Sequence, residues 1–315
     1  MNKFLAFTKL IRLKNLIMIA LIQVLIKYTL INVYLDNFTL NNIRFSFYLI
    51  ALILIVAGGY IINDIYDIET DKINKKENQI IGNSISSKSA FNYYYLLNFI
   101  GVLFGFYIAL SIGKIAFGFI FIFFAFSLWR YSKQHKTSFA TGNFQVAFLT
   151  ALSIINLILF DLVPIGINNE NGSLMISKII IFYAGFSFIT TLIREIVKDI
   201  EDLEGDQKIN AKTLAITYGL KKSKNIVIGL TSATIICIAY FQYFQYSVIS
   251  TQLEWGVNDI SIIYTLLLQG LFIFFIYKTF KAINKEDFHF LSMLSKIIML
   301  VGILSIPVFT LLHQN

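Results

Sequence analysis

Two short acidic runs are the residues of this chain best suited to chemistry. In "NDIYDIETD", residues 63–71, the aspartates Asp64, Asp67 and Asp71 are separated by three and then four positions. In "DIEDLEGD", residues 199–206, Asp199, Asp202 and Asp206 repeat that spacing. Positions i, i+3 and i+7 of a helix lie on one face, so each triplet is expected to present a column of carboxylates. Three carboxylates on one face repel one another unless a cation neutralises them. Hard oxygen ligands at this density suit Mg2+, which takes one or two carboxylates and completes its shell with water and substrate phosphates. Two facing columns would hold Mg2+ around a diphosphate, with Lys72, Lys75 and Lys198 close by in sequence for the remaining phosphate oxygens. Either run alone could be a solvated helix end whose acids pair with lysines. The matched spacing argues against that. Glu69, Glu195, Glu201 and Glu204 fall elsewhere on the helical wheel and are expected to be surface charge.

The elements that must position these acids are membrane helices. Of the 315 residues, 57% are hydrophobic and 14% charged, and the mean hydropathy is +0.71. A soluble domain carries about 25% charged residues and could not hide this much apolar surface. Only two prolines occur, Pro164 and Pro307, which suits long unbroken helices. Nine spans are expected, near 15–35, 44–66, 90–111, 114–130, 142–165, 178–199, 222–244, 259–281 and 293–312. The tight break at "SIGK" is the least secure boundary. The fold class is thus an all-α integral membrane protein, a bundle of nine transmembrane helices read as a single domain over 1–315. The acidic runs end the second and sixth spans.

Charge placement sets the orientation, because Lys and Arg collect in cytoplasmic loops. The N-terminus and the loops near 67–90, 130–141, 194–224 and 278–296 hold 22 of the 26 basic residues. Arg44, Lys114 and Lys178 lie on the other side, and Lys27 falls within the first span. The N-terminus and both acidic runs should therefore face the cytoplasm and the C-terminus the far side, in a multi-pass cell-membrane protein. The net charge of +8 is spread among loops rather than gathered on one soluble face, so nucleic acid is not an expected partner. Cys237 lies inside an apolar run and reads as a small buried hydrophobe. His135, His289 and His313 are too scattered to ligate a metal together.

The acidic runs carry a family resemblance. "NDIYDIETD" resembles the NDxxDxxxD motif, and "DIEDLEGD" the second aspartate motif, of the UbiA superfamily of intramembrane prenyltransferases. "RLKN" (12–15) looks like that family's R-P-x-N opening of the first helix, with Leu13 in place of Pro. "RYSKQHK" (130–136) looks like its YSxxLK element, with His135 in place of Leu. The resemblance covers nearly the whole chain. It implies a nine-helix bundle in which a polyprenyl diphosphate enters from the bilayer, Mg2+ and basic residues hold its diphosphate, and the C–O bond ionises to an allylic cation that an acceptor attacks. By the same resemblance Asn63, Asp64, Asp67 and Asp71 serve the first metal and the diphosphate, and Asp199, Asp202 and Asp206 the second metal. Tyr131 and Lys136 touch diphosphate or acceptor, and Lys198 is a further contact. Asn15 and Arg12 are candidates for binding or, equally, for anchoring at the membrane interface. Aromatic faces can stabilise a cation, but the sequence does not choose among its 31 Phe and 17 Tyr.

Within the superfamily, "DKIN", "REIVKDIEDLEGD" and "AKTLAITYG" are most similar to the geranylgeranylglycerol-phosphate geranylgeranyltransferase branch, which alkylates a glycerol hydroxyl to build ether lipids. "TSFATGNFQVAFLTA" (137–151) resembles that branch's G-N-x-x-V-A-x-x-T element and places Asn143 near the site. The chain departs from the branch at "NKKENQIIGN" (74–83), where N-R-P-x-R-P-I-P-S-G is usual. Lys75 there replaces an arginine and lacks its two-point grip on phosphate. Donor length or acceptor choice could differ accordingly. The alternative acceptor is aromatic, as in quinone or haem O biosynthesis. A transporter would also place acids in a helical bundle, but nearer the midplane.

Overall fold

The computed structural model describes residues 2–68, 79–135, 141–166, 172–208, 211–244, 247 and 259–311. Among them, nine helices are long and apolar enough to cross a membrane: Leu13–Tyr34, Asn42–Tyr66, Ser87–Ser111, Ile115–Lys133, Thr141–Ile165, Ser173–Glu201, Leu214–Phe244, Ile260–Lys281 and Lys285–Thr310. About 20 helical residues rise 30 Å, the thickness of the hydrocarbon core. The described residues contain no β-strand; Ile81 and Ile85 form an isolated bridge. The insecure boundary is a true turn. Gly113 adopts φ +70°, a conformation that costs glycine little, and the Lys114 N–H donates back to the Ala109 carbonyl at 2.8 Å.

Helix starts follow local chemistry. Asn41 caps the second span by accepting from the Arg44 N–H at 2.9 Å, and Ser86 caps the third by accepting from the Ser89 N–H at 3.2 Å. The second and third spans pack closely where Gly101 faces the second. A Cβ at Gly101 would meet Ile55 Cγ1 at 2.8 Å and the Ala51 carbonyl oxygen at 3.1 Å. Backbone cannot move aside as a side chain can, so Gly101→Leu should cost about 1–3 kcal/mol of stability. Thermal unfolding in detergent measures this, and an unchanged midpoint would contradict the close approach.

The sixth span joins two apolar clusters. Its first half, with Ile176, Ile179 and Tyr183, packs in a core with Ile26, Tyr48, Phe121 and Phe160 from earlier spans. Its second half, with Ile193, Ile196 and Ile200, packs against Val227, Phe275 and Leu291 from later ones. The acidic end of this span thus stands between the two halves of the bundle. A third cluster seats the short N-terminal helix Lys3–Leu10 on the end of the second span, through Ala6 and Leu10 against Ile61 and Ile65.

One residue differs in setting from the sequence reading. Cys237 is exposed on the surface of the seventh span rather than buried, because the outward face of a membrane helix is apolar too. Lys27 is fully buried at the opposite end of the bundle from the acids, where its Nζ donates to Asp161 Oδ2 at 2.7 Å and lies 3.8 Å from the centre of the Phe38 ring. Asp161 Oδ1 also accepts from the Leu40 N–H at 2.7 Å, which ties the loop after the first span to the fifth.

Candidate active site

The second span ends at Tyr66 and the sixth at Glu201, and the middle aspartate of each triplet caps its helix. Asp67 has φ −89°, ψ 0° and Asp202 has φ −94°, ψ 9°. The helix that the spacing predicts therefore breaks at the middle aspartate of each triplet. After Asp202 the chain turns into the short helix Leu203–Lys208, and the Asp206 N–H donates to the Asp202 carbonyl at 3.0 Å. A straight helix would carry the third carboxylate about 10 Å along the axis from the first. The turn instead keeps Asp206 on the same wall as Asp199 and Asp202.

That wall belongs to a cavity of about 430 Å³. Asp67, Asp199, Asp202 and Asp206 line it, together with Asn63, Tyr131, Asn143, Lys198, Arg12 and Asn15. The wall also carries apolar residues, among them Ile22, Val56, Phe124, Leu149, Ile154 and Ile303. Tyr60, Tyr66, Phe124 and Tyr131 are the aromatic residues on it, a choice that composition alone could not make. Asp71, Lys72, Lys75 and Lys136 lie outside the described residues.

Each half of the rim orients one carboxylate through an asparagine. Asn63 Nδ2 donates to Asp67 Oδ2 at 2.7 Å, and Asn143 Nδ2 donates to Asp199 Oδ2 at 2.6 Å. Tyr131, in a π-helical turn at the end of the fourth span, lies within electrostatic reach of Asp67 on one side and of Glu195 and Asp199 on the other. Of the five described aspartates in the triplets, Asp64 is the one not on the wall. Its Oδ1 accepts from Arg12 Nη2 at 2.9 Å, and Arg12 also lies 4.9 Å from the centre of the Tyr60 ring. Asn15 Nδ2 donates to the Tyr60 hydroxyl at 3.3 Å. Burial opposes the charge on Arg12, but Asp64, Tyr60 and Asp67 outweigh it and hold the guanidinium protonated. Arg12 is also the one described non-glycine residue with positive φ, +50°, a conformation costly for a residue with a Cβ. The kink between the N-terminal helix and the first span thus turns Arg12 toward the rim.

Four charged residues on this wall were not among the expected site residues: Glu195, Arg194, Lys296 and Lys133, whose Nζ lies 5.0 Å from the centre of the Trp129 ring. Glu195, expected at the surface, is buried and accepts from Arg194 at 2.5 Å and Lys198 at 3.5 Å. Its position four before Asp199, and so on the same helical face, was the available signal. Arg194 and Lys296 also line the cavity. Lys296 reads as the last charge of a loop, but the ninth helix begins at Lys285 and carries it about three turns inward. Glu204 is exposed as expected, whereas Glu201 is half-buried and bonded to His289 Nδ1 at 2.7 Å, and Glu69 lies outside the described residues.

The donor set fits a hard divalent cation such as Mg2+. Among the described residues no three His, Cys, Asp or Glu side chains come close enough together to hold a metal unaided. Mg2+ does not need that, since one or two carboxylates suffice when substrate phosphates complete its shell. Beside Asp67, the buried Asn63 Oδ1 has no hydrogen-bond partner among the described residues and offers one more oxygen.

A carboxylate rim over an apolar cavity, within nine membrane helices, defines a multi-pass membrane enzyme for a molecule with a greasy tail and an anionic head. The chain belongs to the UbiA prenyltransferase family, which it matches over residues 20–297. It is accordingly a prenyltransferase, and the resemblance read from the aspartate motifs holds. It is 31% identical over 261 residues to digeranylgeranylglyceryl phosphate synthase of Methanosphaera stadtmanae, covering 81% of this chain and 84% of that one. A solved structure of a digeranylgeranylglyceryl phosphate synthase superposes with a TM-score of 0.62 at 26% identity, covering 98% of this chain and 99% of that one. A UbiA homologue from Archaeoglobus fulgidus bound to GPP and Mg2+ shares the fold, with a TM-score of 0.58 at 13% identity over 96% of this chain and 99% of that one.

Proposed function

We propose that this chain, acting as one membrane domain, transfers a geranylgeranyl group from its diphosphate to the glycerol hydroxyl of geranylgeranylglyceryl phosphate, with Mg2+, in ether-lipid synthesis. The observation that carries the reading is the single cavity joining Asp67 to Asp199, Asp202 and Asp206 above an apolar interior. The synthase names of the relatives support the acceptor. The loop charges favour a rim facing the cytoplasm from the cell membrane.

In this reading the aspartates, with Asp71 and with Asp64 behind Arg12, hold the metal and diphosphate. Bound there, Mg2+ would offset the negative charge that develops on the departing diphosphate. Asn63 and Asn143 keep Asp67 and Asp199 turned toward the head. Lys198, Lys136 and Lys75 take remaining phosphate oxygens, and Arg12 and Asn15 close the rim from the first span. The prenyl C–O bond breaks with its electron pair leaving on diphosphate. The glycerol oxygen then bonds the allylic carbon, and its proton passes to the released diphosphate. Tyr131 and Phe124 flank the cation with their ring faces, and the apolar wall keeps water from capturing it.

A label-transfer assay tests this with purified protein, Mg2+ and radiolabelled geranylgeranyl diphosphate. Geranylgeranylglyceryl phosphate is offered in one reaction and dihydroxynaphthoate or 4-hydroxybenzoate in others. Label should pass to the glycerol phosphate alone, and chelation by EDTA should abolish transfer until Mg2+ is restored. Transfer only to an aromatic would keep the chemistry and overturn the acceptor.

A further inference from the structure

Three cations gather on one side of the cavity around Glu195, with Asp199 beside Lys198 one turn further on. Arg194 and Lys198 both reach Glu195, and Lys296 comes in from the ninth span within electrostatic reach of all three. Arg12 is also within reach, but Asp64 takes its charge at 2.9 Å. Lys198 also faces Asp199, so Glu195 is left against Arg194 and Lys296, and that pair keeps an excess of positive charge. Arg194 Nε is buried without a hydrogen-bond partner among the described residues. Arg194 is half-buried and Lys296 exposed on the cavity wall, and like charges collected there attract a counter-ion. That excess attracts a phosphate monoester, which carries about −1.5 to −2 at neutral pH. The carboxylates of the rim, by contrast, repel a bare phosphate and accept one only through a metal.

We propose that Arg194 and Lys296 form a phosphate-monoester subsite that holds the headgroup of the acceptor, apart from the aspartate rim that holds the donor diphosphate. Arg194 supplies a planar fork and Lys296 a point charge, one from the sixth span and one from the ninth. The subsite makes the phosphate of the acceptor, rather than its glycerol alone, a determinant of specificity. It rests on the glycerol-phosphate acceptor proposed above.

The test is Lys296→Gln in the full-length protein, assayed with Mg2+, geranylgeranyl diphosphate and geranylgeranylglyceryl phosphate. The KM for the acceptor should rise roughly 10–100-fold, the range of one charge-assisted hydrogen bond. The KM for the donor should stay within about twofold of wild type, and Lys296→Arg should restore most of the loss. Phosphate-free geranylgeranylglycerol, used as a competitive inhibitor, should bind wild type and variant within about twofold of each other. An unchanged acceptor KM, or a donor KM that rises as far as the acceptor KM, overturns the subsite while leaving the proposed function standing. A wild-type protein that transfers nothing to geranylgeranylglyceryl phosphate overturns both.

Discussion

Asp199→Ala is expected to cut turnover by about 10²-fold or more while the protein stays folded, a loss typical of removing one group that stabilises transition-state charge. Asp199 lines the cavity and is held by Asn143 at 2.6 Å, so its carboxylate is aimed before any substrate arrives. Asp199→Asn keeps the shape and removes only the charge. It should lose nearly as much activity, which separates metal binding from packing. Asp67→Ala should behave alike, since Asn63 orients that carboxylate from the other side. The checks are initial rates at saturating Mg2+ and thermal unfolding of the same preparations. Wild-type rates in Asp199→Ala and Asp67→Ala together would remove the aspartates from the chemistry.

Lys27→Met should be the most destabilising single change, at about 3–5 kcal/mol, because it leaves a buried carboxylate uncompensated. Both partners of the Lys27–Asp161 pair are fully buried, and Asp161 also holds the Leu40 N–H. The double variant Lys27→Met with Asp161→Asn should recover most of the loss, since it removes both charges and keeps an acceptor for Leu40. Melting in detergent should show the single variant more than about 5 °C below wild type and the double variant close to it. Equal melting of single and double variants would contradict the pairing. The pair stands at the opposite end of the bundle from the rim, so KM values of the folded fraction should hardly move.

The spans and the family were legible in the sequence because a bilayer demands about 20 apolar residues at a time and the motifs sit at their ends. The aspartate spacing picked out four residues that the fold brings to one cavity wall, Asp67, Asp199, Asp202 and Asp206, through an incomplete geometry. The i, i+3, i+7 pattern implied straight columns, whereas Asp67 and Asp202 cap their helices and the chain turns there. A spacing rule assumes that the helix continues; it does not show where the helix stops. Glu195 reads as surface charge for a related reason, although it stands one turn from Asp199 on the same helical face. Lys296 was hidden by a boundary, since a charge at the edge of an apolar run looks like loop until the helix start at Lys285 is known. Partners distant in the chain, such as Arg12 with Asp64 or Lys27 with Asp161, carry no local pattern at all. Only the packing of the first span against the second and fifth brings them together.

The central claim is that the aspartate rim takes the metal-bound head of a prenyl diphosphate while its tail lies in the apolar cavity. The most direct measurement is a structure of the protein with Mn2+ and a non-ionising thio-analogue of geranylgeranyl diphosphate, with the metal located by anomalous scattering. The account predicts manganese peaks beside Asp67 and beside the Asp199–Asp206 run, the diphosphate between them, and the tail against Phe124 and Leu149. A head held without metal at Arg194 and Lys296, or a tail lying outside the cavity, would contradict it.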